Sequence, residues 1–586
     1  MKKVSLAAFI LAVVATGCNK DNDFPFGGDE VYDVTETLHY QAVESSTVDV
    51  SAAEDPEDLM DESEFDRTIT IIFSNEGPAT VSGDKKGVVS VDGNHVTVNN
   101  GSEKVIYKLS GTASDGFFKV YSKKKQAFVL DGLHLTNPNG AAINNQCKKR
   151  CYVVVNGTNS LADGTTYSLT PDDEDEKAAF FSEGQLIFSG AGSLTVTAKG
   201  KSGISSDDYI RVLASPTITV SSSAGHGIRG KDMVVVSDGI LSVSTTADMK
   251  KGIASDSLVV FNGGNTTIKV SGGTAYDDED KEYKASSGVK ADKLFVMNAG
   301  VLTISNSGKG GKGISGDEKA YFQGGTVNVT VTGSNFGQSS GGGFPGGGGS
   351  SSSDDNSKSA KGIKFDGNLF ISGGHLLATA ANHEAIESKG VLEISGGTVY
   401  AQSKDDAINS AGEMAITGGF VCAYSTGNDG LDANGNLYIE GGTVYCIGSG
   451  TPEVGVDANT EGGYKLYVNG GNLVAIGGLE SGSVLYQKCY ASSSWSKNTW
   501  YGFQVGSNSF AFKTPSSGGS GLVVSGPSEP TLLSGVSVGG DSSLFNGMLN
   551  VDGSISGGSA VSVSAYSAGG GMGGPGGPGG GFPGRW

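Results

Sequence analysis

Positive charge, cysteine, histidine, tryptophan and proline are all scarce in this chain. Against 62 Asp and Glu stand 41 Lys and Arg, a formal net charge of −21 over 586 residues. Phosphate backbones need a basic face, so nucleic acid is not the expected partner, although that total still accommodates a local basic stripe. Six cysteines over this length make no obvious disulfide framework, and no Cys stands at metal-ligand spacing from a His. The six histidines are scattered. No Ser/His/Asp nucleophile motif, Walker loop or dinucleotide fingerprint is present, so the reading leans away from an enzyme. Helical periodicity is missing from the body of the chain.

What is abundant is glycine, 95 residues of it, and a motif that repeats at roughly 23 residues. Each copy runs small-apolar, a few polar residues, an apolar triplet, then often Gly-Gly, Thr and Val; residues 385–404, 407–427 and 430–450 are clean copies. The anchors are Phe180, Ile204, Ile228, Ile253, Val289, Ile314, Ile363, Ile386, Ile408, Leu431 and Val456, each preceded by Gly or Ala. Insertions at 276–285 and 334–360 break the spacing. Self-similarity at this period means a solenoid, whose coils bury their apolar face against neighbouring coils. Leucine-rich repeats want a Leu-Asn signature, and calcium-binding β-rolls a shorter period. Short alternating runs of Val, Ile, Thr and Tyr between Gly pairs predict an all-β parallel β-helix with three strands per coil. The second Gly of pairs such as Gly396-Gly397 suits a corner where φ is positive.

The N-terminus reads as an address. Lys2-Lys3 and a short apolar run to Val14 form a secretory signal, and Ala15-Thr16-Gly17-Cys18 resembles a bacterial lipobox, which makes Cys18 the expected lipidation site. The Lys and acidic patch at 19–23 resembles the surface-export signal of Bacteroidetes lipoproteins. The expected organisation is signal peptide 1–17, acidic tether 18–66, β-helix 67–480, C-terminal β region or cap 481–566 and a Gly/Pro-rich tail 567–586. Cys147 and Cys151 could pair across a tight loop; Cys422 and Cys446 are out of register and should not.

Residues 111–116 (GTASDG), 129–136 (VLDGLHLT), 157–163 (GTNSLAD), 178–182 (AAFFS) and 225–232 (GHGIRGKD) resemble the β-helical carbohydrate-binding family first described from a cellulolytic clostridium. The resemblance covers roughly 70–480. It implies a right-handed parallel β-helix with calcium sites, a secreted or cell-surface setting, binding of acidic plant polysaccharide such as polygalacturonate, and kinship of shape with pectate lyases.

In a parallel β-helix equivalent positions stack about 4.8 Å apart, so each repeat position is a column on the solid. Two before the anchor the residues are Ser202, His226, Lys251, Ser287, Lys312 and Lys361, then Glu384, Asp406 and Asp429. One after it they are Ser205, Arg229, Ala254, Lys290, Ser315 and Lys364, then Glu387, Asn409, Asp432 and Asp457. Both columns turn from basic to acidic between Ile363 and Ile386. Stacked carboxylates repel unless a cation lies among them, and calcium accepts six to eight oxygens. Glu384, Glu387, Asp405, Asp406, Asn428, Asp429, Asp432 and Asp457 are the candidate calcium ligands. A solvated acidic face is the alternative. Arg229, Lys251, Lys290, Lys312, Lys361 and Lys364 are candidates for uronate carboxylates. Tyr321, Phe370, Tyr438 and Tyr467 form an outward column that could stack on sugar rings or lie under another segment. The outward strip Leu377, Tyr400, Cys422, Tyr445 and Val474 is expected to be covered.

Together with what the resemblance and the N-terminus imply, the expected function is that of a calcium-stabilised, non-catalytic polysaccharide-binding lipoprotein of the outer-membrane surface, for acidic glycans. Two alternatives stay open. One is a calcium-dependent polysaccharide lyase, with Lys361, Lys364, Lys389 or Lys404 as base. The other is a surface adhesin without a sugar site.

Overall fold

The computed structural model describes residues 37–168, 171, 174–337 and 357–569; Cys18, the patch 19–23, the signal segment, most of the 334–360 insertion and the tail 570–586 lie outside them. Strand propensity and Gly-rich corners produce what the repeat predicts, a parallel β-solenoid of about 14 turns. Its first side is a stack of short strands from His95–Asn100 to Val456–Ala458, here called the anchor sheet. A second face runs from Leu186–Ser189 to Leu466–Val468, and a third from Ser193–Ala198 to Asn472–Ile476, each continued by earlier coils. The anchors pair in register, Phe180 on Ile204, Ile204 on Ile228, and onward to Leu431 on Val456. Three further coils precede them, with Val96, Phe118 and Ile143 in the anchor column.

The small residue before each anchor has a steric cause. A Cβ on Gly252 would stand 2.3 Å from Ile268 Cγ2 and 2.7 Å from the Gly288 carbonyl oxygen. That position therefore faces the core together with the anchor, and only a residue with little or no side chain fits. Between the second and third faces Gly374, Gly397, Gly419 and Gly442 turn with φ of 75° to 78°, as the Gly pairs predict.

Both ends are closed by antiparallel pairing, which removes the open edges a solenoid would present. At the first coils Arg67–Phe73 pairs with Thr80–Ser82, and Val89–Asp92 pairs with His95–Asn100. At the last, Leu522–Ser525 runs antiparallel along Asn472–Ile476. A five-stranded sheet that includes Trp500–Val505 and Asn508–Lys513 then packs Tyr501, Phe503 and Phe512 on Tyr400, Cys422, Tyr445 and Val474. The outward strip on the third face is covered by the C-terminal region, as expected.

The segment 39–66, expected as a tether, instead lies along the outward side of the second face. Met60 and Phe65 pack near Ile106, Tyr152 and Ile187, while Val48 and Val50 pack on Val235, Val260 and Val296. Tyr40 reaches the far coils, donating its hydroxyl to Glu393 and its N–H to Glu440. Asp58 holds the near end, buried between Arg150 at 2.7 Å and Arg211 at 3.2 Å. The five cysteines among the described residues are buried and free, so Cys147 and Cys151 are not bridged.

Candidate functional site

The two charged columns are real and adjacent. Lys251, Ser287, Lys312 and Lys361 are register neighbours, and Lys364 on Glu387 marks the change of sign. Because the anchor and the glycine before it both turn inward, the residues flanking that pair emerge on one side: Ser287 Oγ lies 2.9 Å from Ser315 Oγ. The columns thus form the floor of one cleft of about 730 Å³, whose lining runs from His226 and Arg229 to Lys361 and Lys364. Both insertions wall it. Tyr283 and Lys284 come from the hairpin of Ala275–Asp277 and Glu282–Lys284, and Lys358 and Ser359 from the end of the second insertion.

The expected stripe of six free cations is not there. Arg229 is paired with Asp256 at 2.7 Å, Lys290 with Asp292 and Asp317, and Lys364 with Asp366. Lys361 lies 2.5 Å from Glu387 and 3.2 Å from Glu384. Lys251 and Lys312 remain. Lys251 Nζ donates to the Met249 carbonyl at 2.7 Å, and Lys312 Nζ to those of Ser359 at 3.3 Å and Gly310 at 3.5 Å. Burial, with Lys250, Lys290 and Lys284 nearby, pushes the Lys251 ammonium down to about 8. Burial, with Lys364, Lys361 and Lys358, pushes Lys312 down to about 7. His226 accepts the Lys251 N–H at 3.0 Å, and burial holds its imidazole well below the usual range. The cleft therefore has a floor of two cations that a ligand anion can satisfy, set between already paired charges.

The pairing follows a column that the charged-column reading passes over. Three residues after the anchor stand Asp256, Asp292, Asp317 and Asp366, then Lys389. It carries the opposite sign to its neighbour and switches at the same coil: Lys389 lies 2.5 Å from Glu387. Beyond it the compensation stops. Asp406 and Asp429 are 6 % exposed, and among the described residues no Lys or Arg pairs with Asp406, Asp429, Asp432 or Asp457. Asn409 Nδ2 donates to Asp432 at 2.6 Å and Asp406 at 3.4 Å, and the Asp429 N–H donates to Asp406 at 3.1 Å. Burial, reinforced by neighbouring carboxylates, pushes all four acids above the ordinary range. Hard oxygen donors that are uncompensated and largely buried suit a divalent cation such as calcium, and no three of these four bring carboxylate oxygens within 4.8 Å of one another.

Other candidates for that cation are already committed. Glu387 is fully buried between Lys361 and Lys389. Burial would raise Glu384, but His383 and Lys361 outweigh it and hold the carboxyl well down. Asp405 faces His383 at 3.1 Å and accepts from the Asn428 amide at 3.0 Å. His383, Glu384 and Asp405 form a compact trio whose histidine no charged column marks.

The aromatic column is also corrected. Tyr321 stacks on Phe370 at 5.0 Å and Tyr438 on Tyr467 at 5.1 Å, so the rings spend their faces on one another and turn edges outward. Tyr321, Phe370 and Tyr438 are buried, and segment 39–66 supplies cover: Tyr40 lies 5.8 Å from Tyr438. A sugar platform needs an open face.

A family model described as a carbohydrate-binding domain-containing protein matches residues 92–249, 246–335 and 307–407. No curated protein matches the chain. A solved structure, that of a polysaccharide lyase-like protein from C. thermocellum as its gadolinium derivative, has 23 % identity and a TM-score of 0.35 over 45 % of this chain and 96 % of that one, a likeness too loose to carry a functional argument. The family matches take in the whole basic cleft and run on through Glu384, Glu387 and Asp406, ending before Asp429, Asp432 and Asp457. Since they extend over more than half of the sequence, along the coils that build the cleft, the chain belongs to the carbohydrate-binding domain-containing family.

Proposed function

We propose that the protein binds acidic, uronate-containing polysaccharide along the anchor face, with a sugar carboxylate resting on Lys251 and Lys312. The observation that carries this reading is the pair of floor lysines whose partners are backbone carbonyls, in a cleft where neighbouring cations are matched by aspartates. An incoming carboxylate completes what the fold leaves unmatched, and a neutral glycan does not. Calcium belongs to the same reading. Asp406, Asp429, Asp432 and Asp457 would hold it, and it would supply the charge that lets those buried carboxyls ionise together. The lipobox at Cys18 makes the protein an outer-membrane lipoprotein, displayed at the surface by the patch that follows.

Retention of the purified chain on immobilised polygalacturonate, against a neutral glucan, tests the ligand. The Lys251→Ala variant should lose retention on the acidic column only. Equal retention on both columns, or an unaffected variant, overturns the assignment.

A further inference from the structure

A third column crosses the sign boundary, three positions before the anchor. It runs through Gly311 and Ala360, which carry no donor, then His383, Asp405 and Asn428. Coil stacking sets its members about 4.8 Å apart. Asp405 uses its two oxygens differently. Its Oδ1 accepts from the Asn428 amide at 3.0 Å, and its Oδ2 lies 3.1 Å from His383 Nδ1. Glu384, next in sequence to the histidine, brings Oε2 into contact with the same nitrogen. An imidazole nitrogen carries at most one proton, yet two carboxylate oxygens converge on this one. The three donor atoms lie within 4.8 Å of one another, which no three of Asp406, Asp429, Asp432 and Asp457 achieve. We propose that His383, Glu384 and Asp405 bind a zinc-class transition-metal ion, at a site separate from that of calcium and independent of the sugar.

The donor set decides the metal. Calcium takes oxygen ligands, whereas an imidazole nitrogen with carboxylate oxygens suits zinc and its neighbours in the first transition row. Three protein ligands leave the fourth tetrahedral position to water or an exchangeable ligand. Residues outside the trio act as an outer shell that orients it. Asn428 holds one oxygen of Asp405 and leaves the other toward the imidazole, and Lys361, 3.2 Å from Glu384, steadies that carboxylate. Charge favours a cation as well. Asp405 repels both Asp406 and Asp432, so a divalent ion here offsets more carboxylates than the two it touches. Glu384 is buried, whereas His383 and Asp405 are half-buried and leave an entry path. The competing occupant is a proton, which would make His383 an imidazolium paired with both acids.

The full chain, stripped with chelator and returned to excess calcium, is titrated with zinc chloride by calorimetry and with cobalt(II) by visible absorption. The wild type should bind a zinc ion that calcium does not displace. X-ray absorption at the zinc edge should then show an imidazole nitrogen among oxygens, and an oxygen-only shell overturns the assignment whatever the variants do. A folded His383→Ala protein should lose the binding. Asn428→Ala should weaken it by about 10–100-fold, the loss expected when an outer-shell partner is removed. No zinc binding by the wild type would leave an imidazolium ion pair only, and undiminished binding by folded His383→Ala would put the metal elsewhere; either result overturns the proposal.

Discussion

Lys312 and Lys361 stand side by side in register on neighbouring coils, yet only Lys361 reaches a carboxylate. One coil step separates a cation neutralised by Glu387 and Glu384 from one facing three other lysines. The contrast places the boundary between the two halves of the anchor face, and the predictions fall on either side of it.

On the acidic side, chelation should lower the melting temperature and calcium restore it, a stabilisation of about 2.7 kcal/mol at a hundredfold excess over Kd. The Asp406→Asn/Asp429→Asn double variant removes two ligands and relieves repulsion. It should melt above the calcium-free wild type and no longer respond to calcium. Superimposed wild-type curves with and without chelator would reduce the acidic columns to a solvated face.

The same acids set a pH dependence in the calcium-free protein. Their folded values lie above the ordinary carboxylate range, so the folded state binds more protons than the unfolded one. Their contribution is fully present below about 4 and is lost progressively as pH rises to about 8 to 9. Thermal melts at stepped pH in chelator should show that decline, and saturating calcium should flatten it.

On the basic side, retention on polygalacturonate depends on a protonated floor. It should begin to weaken as pH rises past about 7, where Lys312 loses its proton, and fall further past about 8, where Lys251 follows. Added salt should weaken it too, by screening over about 8 Å at physiological strength. Chromatography at stepped pH and salt reads both, and a flat response would remove the floor lysines from the site.

Asp58→Ala leaves Arg211 buried without its carboxylate and should cost about 3–5 kcal/mol, measured by denaturant melts. Dye binding to apolar surface should rise in parallel if segment 39–66 lifts from the second face. Destabilisation of that size with no new apolar surface would mean the segment stays docked.

Gly252→Val drives methyl groups into Ile268 and the Gly288 carbonyl and should cost about 1–3 kcal/mol or more, again by denaturant melts. A neutral result would mean that the glycine before the anchor does not face the core.

Periodicity alone determines what lies beside what along the rod. The anchor register from Phe180 to Val456, the positive-φ glycines and the shared sign change at Lys364 on Glu387 are all legible in it, because each coil is packed by its sequence neighbours. What the columns alone do not reveal is which charges remain available. Arg229 and Lys290 read as a stripe until aspartates on the next turn are seen to hold them, and Asp406 reads like Glu387 until Lys389 proves to serve only one. The covering of the aromatic column lies further out of reach. His39 meets Glu440 across 401 residues of sequence, and no repeat encodes a contact between two surfaces that become complementary only after the rod has formed. Short-range register thus follows from local pattern, whereas pairing and cover depend on the folded surface, and that surface decided which side chains remain free to meet a sugar.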